Sequence, residues 1–343
     1  MSKTTIAIAI AATTATLAVV PAQAKELNAV TSLQQTNTLA RSFITTFIGG
    51  VNKAKGAVTV KYIGGQEVVP PRKAANALKR GQFDVLASPT AYYIGTVPEG
   101  YALLAANQGP AALRKSGAWE ILQSVYAQKA GAHLLAWGEN MTSYNMYLAK
   151  KPKMKDGIPD LTGMKMRATG TYRPLFRALG GTTINIKSSE IFTAMQRGTV
   201  EGFGFTDVSF VPLGFHQVAK YRVTPNFYQT NQVVTVNQSV WKSLTDAQRA
   251  FLNTEAIKYE TTSVNWVEVE RLKEEKQIKE AGVVDIAMTG AAAAKYLDIA
   301  HQEIWKELKK RSKFHDQLKP LMYVPGKPQR QVDLSSATKR LRQ

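Results

Sequence analysis

The chain has 343 residues, carries 44 Lys and Arg against 25 Asp and Glu for a formal charge of +19, and contains no cysteine. The missing thiols exclude disulfides, thiolate zinc sites and iron–sulfur clusters, so hydrophobic cores must supply the stability alone. The positive charges are scattered, and the densest stretch, Lys306 to Lys319, also holds Glu307 and Asp316. It reads as a solvated helix face and not as a nucleic-acid surface, which leaves the excess charge as a field for small anions or an adaptation to an anionic membrane surface.

The first element in chain order is a targeting segment. Met1 to Ala24 has an early Lys3, an apolar run from Ile6 to Val20 and a Pro21-Ala22-Gln23-Ala24 ending. A basic start, a short apolar core and a small-x-small ending make a signal peptide, and the run is shorter than the roughly 18 to 20 apolar residues that span a bilayer. Cleavage after Ala24 is expected, with the working protein in the periplasm and charged +18 once Lys3 is gone. Removing 24 of 343 residues leaves 319, more than one typical domain of about 100 to 200, so two lobes are expected.

Strand-like segments then alternate with helical ones, the pattern of an α/β fold. Strands are expected near Glu26–Thr31, Val58–Ile63, Phe83–Ala87, Ala132–Trp137, Lys165–Ala168, Thr183–Ile186, Val200–Phe205 and Gln232–Asn237. One unit occurs twice. Pro71 to Val85 and Ser189 to Gly202 each contain a helical run, an Arg-Gly terminator (Arg80-Gly81, Arg197-Gly198) and an acid at the next strand (Asp84, Glu201). Glycine suits the left-handed residue that closes a helix, and arginine favours the negative helix end. Asp84 and Glu201 read as backbone-binding acids at a strand mouth. The repetition predicts two lobes built alike, facing a shared cleft where open α/β sheets bind ligands.

Thr245-Asp246-Ala247-Gln248 is a capping box, and neither Pro nor Gly follows until Gly282. One helix of roughly 50 Å is expected there, long enough to brace both lobes. Its acid pair Glu274 and Glu275 reads as part of a solvated face. Another helix is expected over Ala291–Lys310, with Tyr296, Ala300, Ile304 and Leu308 as its apolar stripe. Residues 25–144 with 231–270 are expected to form lobe one and 145–230 with 271–323 lobe two, followed by a loose basic tail over 324–343.

Five segments resemble the solute-binding proteins of TRAP transporters, the DctP type. They are Tyr62-Ile63-Gly64-Gly65-Gln66-Glu67, Leu78 to Asp84, Leu161-Thr162-Gly163-Met164-Lys165-Met166-Arg167, Glu190 to Gly202, and Asn237 to Leu244. The resemblance covers essentially the whole mature chain. It implies a two-lobed trap that captures an organic acid and delivers it to a membrane permease with a small and a large integral subunit. It also implies that Arg167 holds the ligand, and a guanidinium is a planar fork of donors that fits a carboxylate bidentately and stays charged in a closed cleft. The alternative for Arg167 is a surface residue paired with a nearby acid.

The sequence departs from the family at Glu201-Gly202-Phe203-Gly204-Phe205-Thr206, where many members have Asp-Gly-x-Glu followed by Asn or Trp. Gly204 stands at the Glu position, which argues against a bound cation and for a less polar pocket. No second arginine occurs in Trp137 to Thr142, so one ligand carboxylate is expected and not two. Loops facing the cleft would add Gln66, Glu67, Ser88 and Tyr92 from lobe one and Tyr172, Phe205 and Asp207 from lobe two. Tyr92, Tyr172 and Phe205 read equally well as core; if all three line the site, an apolar or aromatic acid is favoured over a polyhydroxy one.

Catalysis has little support. His133, His216, His301 and His315 are dispersed with no H-E-x-x-H or H-x-x-x-H pair, there is no Gly-x-Ser-x-Gly elbow, and Gly202-Phe203-Gly204 is only a fragment of a nucleotide loop. The expected protein is thus a monomeric binder with no cofactor, no metal and no nucleic-acid partner. Presentation of the ligand to a membrane sensor is the alternative role, and a periplasmic enzyme acting on a carboxylic acid a distant one.

Overall fold

A computed structural model describes residues 24 to 325. The expected signal segment up to Gln23 and the tail beyond Pro325 lie outside the described residues. The strands in chain order are β1 (Lys25–Thr31), β2 (Val58–Gly64), β3 (Val85–Pro89), β4 (Ala132–Gly138), β5 (Ser143–Leu148), β6 (Lys153–Lys155), β7 (Ile158–Asp160), β8 (Lys165–Arg167), β9 (Thr182–Ile184), β10 (Gly202–Thr206), β11 (Tyr221–Gln229), β12 (Gln232–Asn237) and β13 (Val284–Ala287).

They build two main sheets, ordered β2-β1-β3-β12-β4 and β13-β11-β5-β10-β8-β9, with β6 and β7 as a separate pair. In the first, β2, β1 and β3 are parallel while β12 runs antiparallel to both β3 and β4. In the second, β10, β8 and β9 are parallel, and β5 runs antiparallel between β10 and β11. This is the two-lobed α/β architecture, with the chain passing between sheets from β4 to β5, again from β11 to β12, and a third time along the long helix.

The repeated unit is the same device in both sheets. At the first copy the N–H groups of Arg80, Gly81 and Gln82 donate to the carbonyls of Asn76, Leu78 and Ala77, with Gly81 at φ 72°. At the second, Arg197, Gly198 and Thr199 donate to Thr193, Met195 and Ala194, with Gly198 at φ 67°. The acids do as expected. Asn28 N–H donates to Asp84 Oδ2 at 2.8 Å, and Lys165 N–H donates to Glu201 Oε2 at 3.2 Å. Each pins the incoming strand to its parallel neighbour.

Four strands escape the sequence pattern besides the short β6. β5 is buried along its whole length, so no polar alternation marks it. β11 contains Pro225, which has no N–H for the ladder, and its register with β5 shifts between Val223 and Phe227. β7 and β13 have only three and four residues.

The long helix runs Asp246–Glu280, 35 residues, with the Thr245–Gln248 capping box formed in both directions. Its first half packs Tyr259 against Phe43 and Phe47, under the first sheet. Its second half reaches the other sheet through Glu274 and Glu275. These acids are not a solvated pair. Glu274 is buried and accepts from the N–H groups of Ser209 at 2.8 Å and Val211 at 2.7 Å, while Glu275 pairs with Arg222. The charge pattern of the helix could not show this, because the partners lie more than 50 residues away. The helix Gly290–Arg311 buries the expected stripe of Tyr296, Ala300, Ile304 and Leu308, and the last helix among the described residues, His315–Met322, packs on helices Gly100–Ala105 and Ala118–Val125.

The crossings between sheets are bonded to one another. Thr230 N–H donates to Thr142 O at 2.7 Å, its hydroxyl donates to Glu139 O at 2.8 Å, and Glu139 N–H donates to Ser263 Oγ on the long helix at 3.0 Å. The Glu139 carboxyl is fully buried beneath the Tyr259 hydroxyl, and burial pushes it up to about 8. Burial likewise pushes Asp207 and Glu274 to about 7, and lowers His133 and His301 to about 4.

These shifts set the sign of a pH dependence. A carboxyl whose folded pKa is raised binds its proton better in the native state, so its stabilisation is present at low pH and lost as pH rises through the folded value. The buried neutral histidines act oppositely, adding stability as pH rises toward their ordinary value of about 6.5. Above that only the carboxyls remain, so urea unfolding should give a stability that falls between about pH 6.5 and 8.5. Glu139→Gln, which keeps an acceptor for Tyr259, should flatten the slope near pH 8; an unchanged slope would remove Glu139 as its source.

Candidate functional site

Arg167 ends β8, flanked by Phe203 of β10 and Ile184 of β9. The sharp turn at Gly163, φ 83°, starts this short strand, and the sheet carries the side chain into the space between lobes. The residue is 2% exposed. Its Nε donates to Ile186 O at 3.0 Å, and its Nη1 donates to Gly204 O at 3.2 Å and to the Tyr172 hydroxyl. Nη2 has no hydrogen bond, and no Asp or Glu pairs with the guanidinium, among the described residues. The expected fork is therefore already half used: Nη2 is the open end.

Arg167 borders a cavity of about 380 Å³ between the two sheets. Gln66, Pro70, Pro71, Ala91 and Tyr92, with the exposed Arg72 and Lys73, form the wall on the first-sheet side; Thr169, Gly170, Asn185, Ile186 and Ser188, with the exposed Lys187, form the other. Two contacts cross from wall to wall. Arg72 Nη2 donates to Asn185 Oδ1 at 2.7 Å, and the hydroxyls of Tyr92 and Ser188 lie 3.4 Å apart.

Of the residues read from the sequence, Arg167, Gln66 and Tyr92 meet at this cavity. Tyr172 stands behind Arg167, 2% exposed, with its ring near Tyr144 and Phe176. The remaining four serve the framework. Glu67 accepts from Gly65 N–H at 2.5 Å, and Ser88 is fully buried where the Ser32 hydroxyl donates to it at 2.7 Å. Phe205 packs against Phe215 at 5.0 Å between ring centres, and Asp207 accepts from Ser143 N–H at 3.2 Å. Phe205 and Ser88 lie in β10 and β3, which are buried along their whole length. The three-aromatic lining is reduced to Tyr92. Sequence reading did not mark Arg72, Asn185, Ile186 and Ser188 as site residues: Arg72 falls inside the first repeated unit, Asn185 and Ile186 inside an expected strand that ends at Ile184, and Ser188 in a short helical turn.

The glycine at 204 has a steric reason. A Cβ there would sit 2.8 Å from two ring carbons of Tyr172. The tyrosine ring fills the space beside residue 204, and its phenol, raised by burial, gives Arg167 a neutral partner. No group of three or more His, Asp or Glu placed to hold a metal ion occurs among the described residues. Since Tyr172 is held by Tyr144, Phe176 and Phe227, Gly204→Ala cannot be absorbed by a small shift. It should cost about 1 to 3 kcal/mol in urea unfolding. A neutral result would mean that the ring moves freely.

A family model described as bacterial extracellular solute-binding protein, family 7 (DctP) matches residues 38–311. The chain belongs to this family. A solute-binding protein of Albidiferax ferrireducens is 22% identical over 263 residues, which is 74% of this chain and 77% of that one. Among solved structures, a TRAP transporter solute-binding protein of Bordetella bronchiseptica, with copurified calcium and picolinate in its active site, superposes with a TM-score of 0.75 at 20% identity, covering 87% of this chain and 90% of that one. A TRAP periplasmic solute-binding protein of Ralstonia eutropha with bound (S)-2-acetolactate gives 0.71 at 20% identity, covering 87% and 98%. At such identity these likenesses are of fold, and they establish the DctP architecture over nearly all of the described chain. No helix among the described residues of this DctP protein is long and apolar enough to cross a membrane.

Proposed function

We propose that this DctP protein captures a small organic acid through Arg167 and delivers it to the membrane subunits of a TRAP-type transporter. One observation carries the reading: a 2% exposed guanidinium borders a cavity between the sheets with no carboxylate partner among the described residues. An isolated buried charge is costly, and natural interiors pair such charges. The missing counter-ion is the ligand's carboxylate, received by Nη2. Pro70, Pro71, Ala91, Tyr92 and Ile186 offer an apolar wall for the rest of the molecule, while Gln66, Asn185 and Ser188 supply a few polar contacts. That combination fits a monocarboxylate with an apolar or aromatic body. The acids named for the Bordetella and Ralstonia structures are themselves small monocarboxylates.

In this proposal residues 25–144 with 231–270 close against 145–230 with 271–323 around the ligand. Closure excludes water and strengthens the ion pair. Contacts made only when closed, such as Arg72 to Asn185, add to the closed state, and about 5.5 kcal/mol of differential affinity would move the equilibrium from 1:99 to 99:1. The permease reads the closed shape. Export through a cleaved signal segment places the protein in the periplasm, where it acts as a monomeric binder that returns its acid unchanged.

The test is native mass spectrometry of the protein purified gently from periplasm, followed by release and identification of anything bound. A stoichiometric small carboxylic acid, absent from Arg167→Ala, is expected. An empty protein with no thermal shift across aliphatic, aromatic and sugar acids would overturn the proposal.

A further inference from the structure

A second, wider cavity of about 670 Å³ adjoins the first, sharing Arg72, Ala91, Tyr92, Gly170 and Asn185 with it. Arg167 borders only the first. The rim of the second carries Arg72, Arg173 and Arg177, with Glu303, Glu307, Lys310 and Arg311 from the helix Gly290–Arg311. Its acids are already neutralised: Glu303 holds Lys306 at 2.6 Å, and Glu307 holds Lys310 and Arg311 at 3.1 Å each.

That leaves three guanidiniums without a carboxylate among the described residues. Arg72 donates to the Asn185 amide oxygen, and Arg177 Nε donates to Thr183 Oγ1 at 3.3 Å. The Arg173 backbone N–H donates to Thr169 O at 3.2 Å, but its guanidinium makes neither a hydrogen bond nor an ion pair among the described residues. Arg173 and Arg177 also stand four apart on one helix, Arg173–Ala178, a spacing at which like charges disfavour the helix. Nothing in the packing demands that arrangement. It converges three planar forks, each suited to a carboxylate, on one concave surface.

We propose that this basin is a second anion-binding site, which takes multivalent carboxylates and gathers organic acids at the mouth of the Arg167 cavity. The gathering role rests on the function proposed above; the binding site itself does not. Arg72 and Arg177 are exposed and Arg173 is half-buried, so binding is weak and sensitive to salt.

Citrate serves as the probe, titrated calorimetrically into the mature protein at about 10 mM ionic strength, where charges act over about 30 Å. The double variant Arg173→Gln with Arg177→Gln should lose about tenfold or more in citrate affinity. Lys53→Gln with Lys242→Gln removes the same charge from exposed positions outside both cavities and should change it by about twofold at most. The same tenfold loss should appear when Arg173→Gln with Arg177→Gln is made on top of Arg167→Ala, where citrate can no longer use the Arg167 cavity. Absence of citrate binding, an equal loss in both double variants, or a loss in Arg167→Ala without one in the basin variant would each overturn the proposal. Failure of the proposed function shows separately, as a co-purified acid that survives Arg167→Ala whatever citrate does.

Discussion

Arg167→Ala should abolish useful affinity for the proposed organic-acid ligand, with a cost of about 3 to 5 kcal/mol, or a few hundredfold and more in Kd. The magnitude follows from burial. A ligand carboxylate that reaches this cavity has lost its water, and without the guanidinium no other cationic group borders it at that depth: Arg72, Lys73 and Lys187 line the cavity but are exposed. The substitution also strands the carbonyls of Ile186 and Gly204, which now accept from Nε and Nη1. Circular dichroism and a urea midpoint therefore accompany the titration. Arg167→Lys is a sharper version, because an ammonium keeps the charge but cannot reach both carbonyls and the ligand in one plane. It too should lose most of the affinity. A loss under about tenfold in the alanine variant, with the fold intact, would remove Arg167 from its role.

Trp137→Ala should lower the unfolding free energy by about 3 to 5 kcal/mol, the range for deleting a large buried aromatic. Trp137 lies at the end of β4 with no exposed surface, next to the first crossing between sheets. Its Nε1 donates to Thr230 O at 2.9 Å in the second crossing, and its backbone N–H donates to Glu260 on the long helix at 3.0 Å. Its side chain thus touches the second connection between lobes, while its backbone carbonyl accepts from Asn140 in the first and its backbone N–H reaches the third. Trp137→Phe, which loses the hydrogen bond and part of the volume, should fall between wild type and alanine. Urea unfolding of the three proteins decides the matter. An alanine variant within about 1 kcal/mol of wild type would show that the crossings hold without the indole.

Much of the architecture was legible because its signals are short. Gly81 and Gly198 close their helices, and Asp84 and Glu201 bond the neighbouring strand, as the two copies of the motif imply. The cap at Thr245 and the absence of Pro and Gly to Gly282 marked a helix that indeed runs 35 residues. Strands buried on both faces, such as β5, or interrupted by proline, such as β11, had no such signal. The site was legible in part. A motif singled out Arg167, and loop position brought in Gln66 and Tyr92, but Glu67, Ser88, Phe205 and Asp207 turned out to hold backbone or core together.

What the sequence by itself determined were local states: which residues cap, which turn left-handed, which alternate, and that no thiol chemistry is available. Those states depend on a few neighbours and on the intrinsic preferences of Gly, Thr and Pro. Only the tertiary structure decided that Glu274 is buried, that Tyr172 takes the room beside Gly204, that Arg72 faces Asn185 across the cleft, and that Nη2 of Arg167 is left open. Most of these depend on partners 19 to 113 residues away, and for the residues on strands a shift of one position along the strand would turn the same side chains to the opposite face.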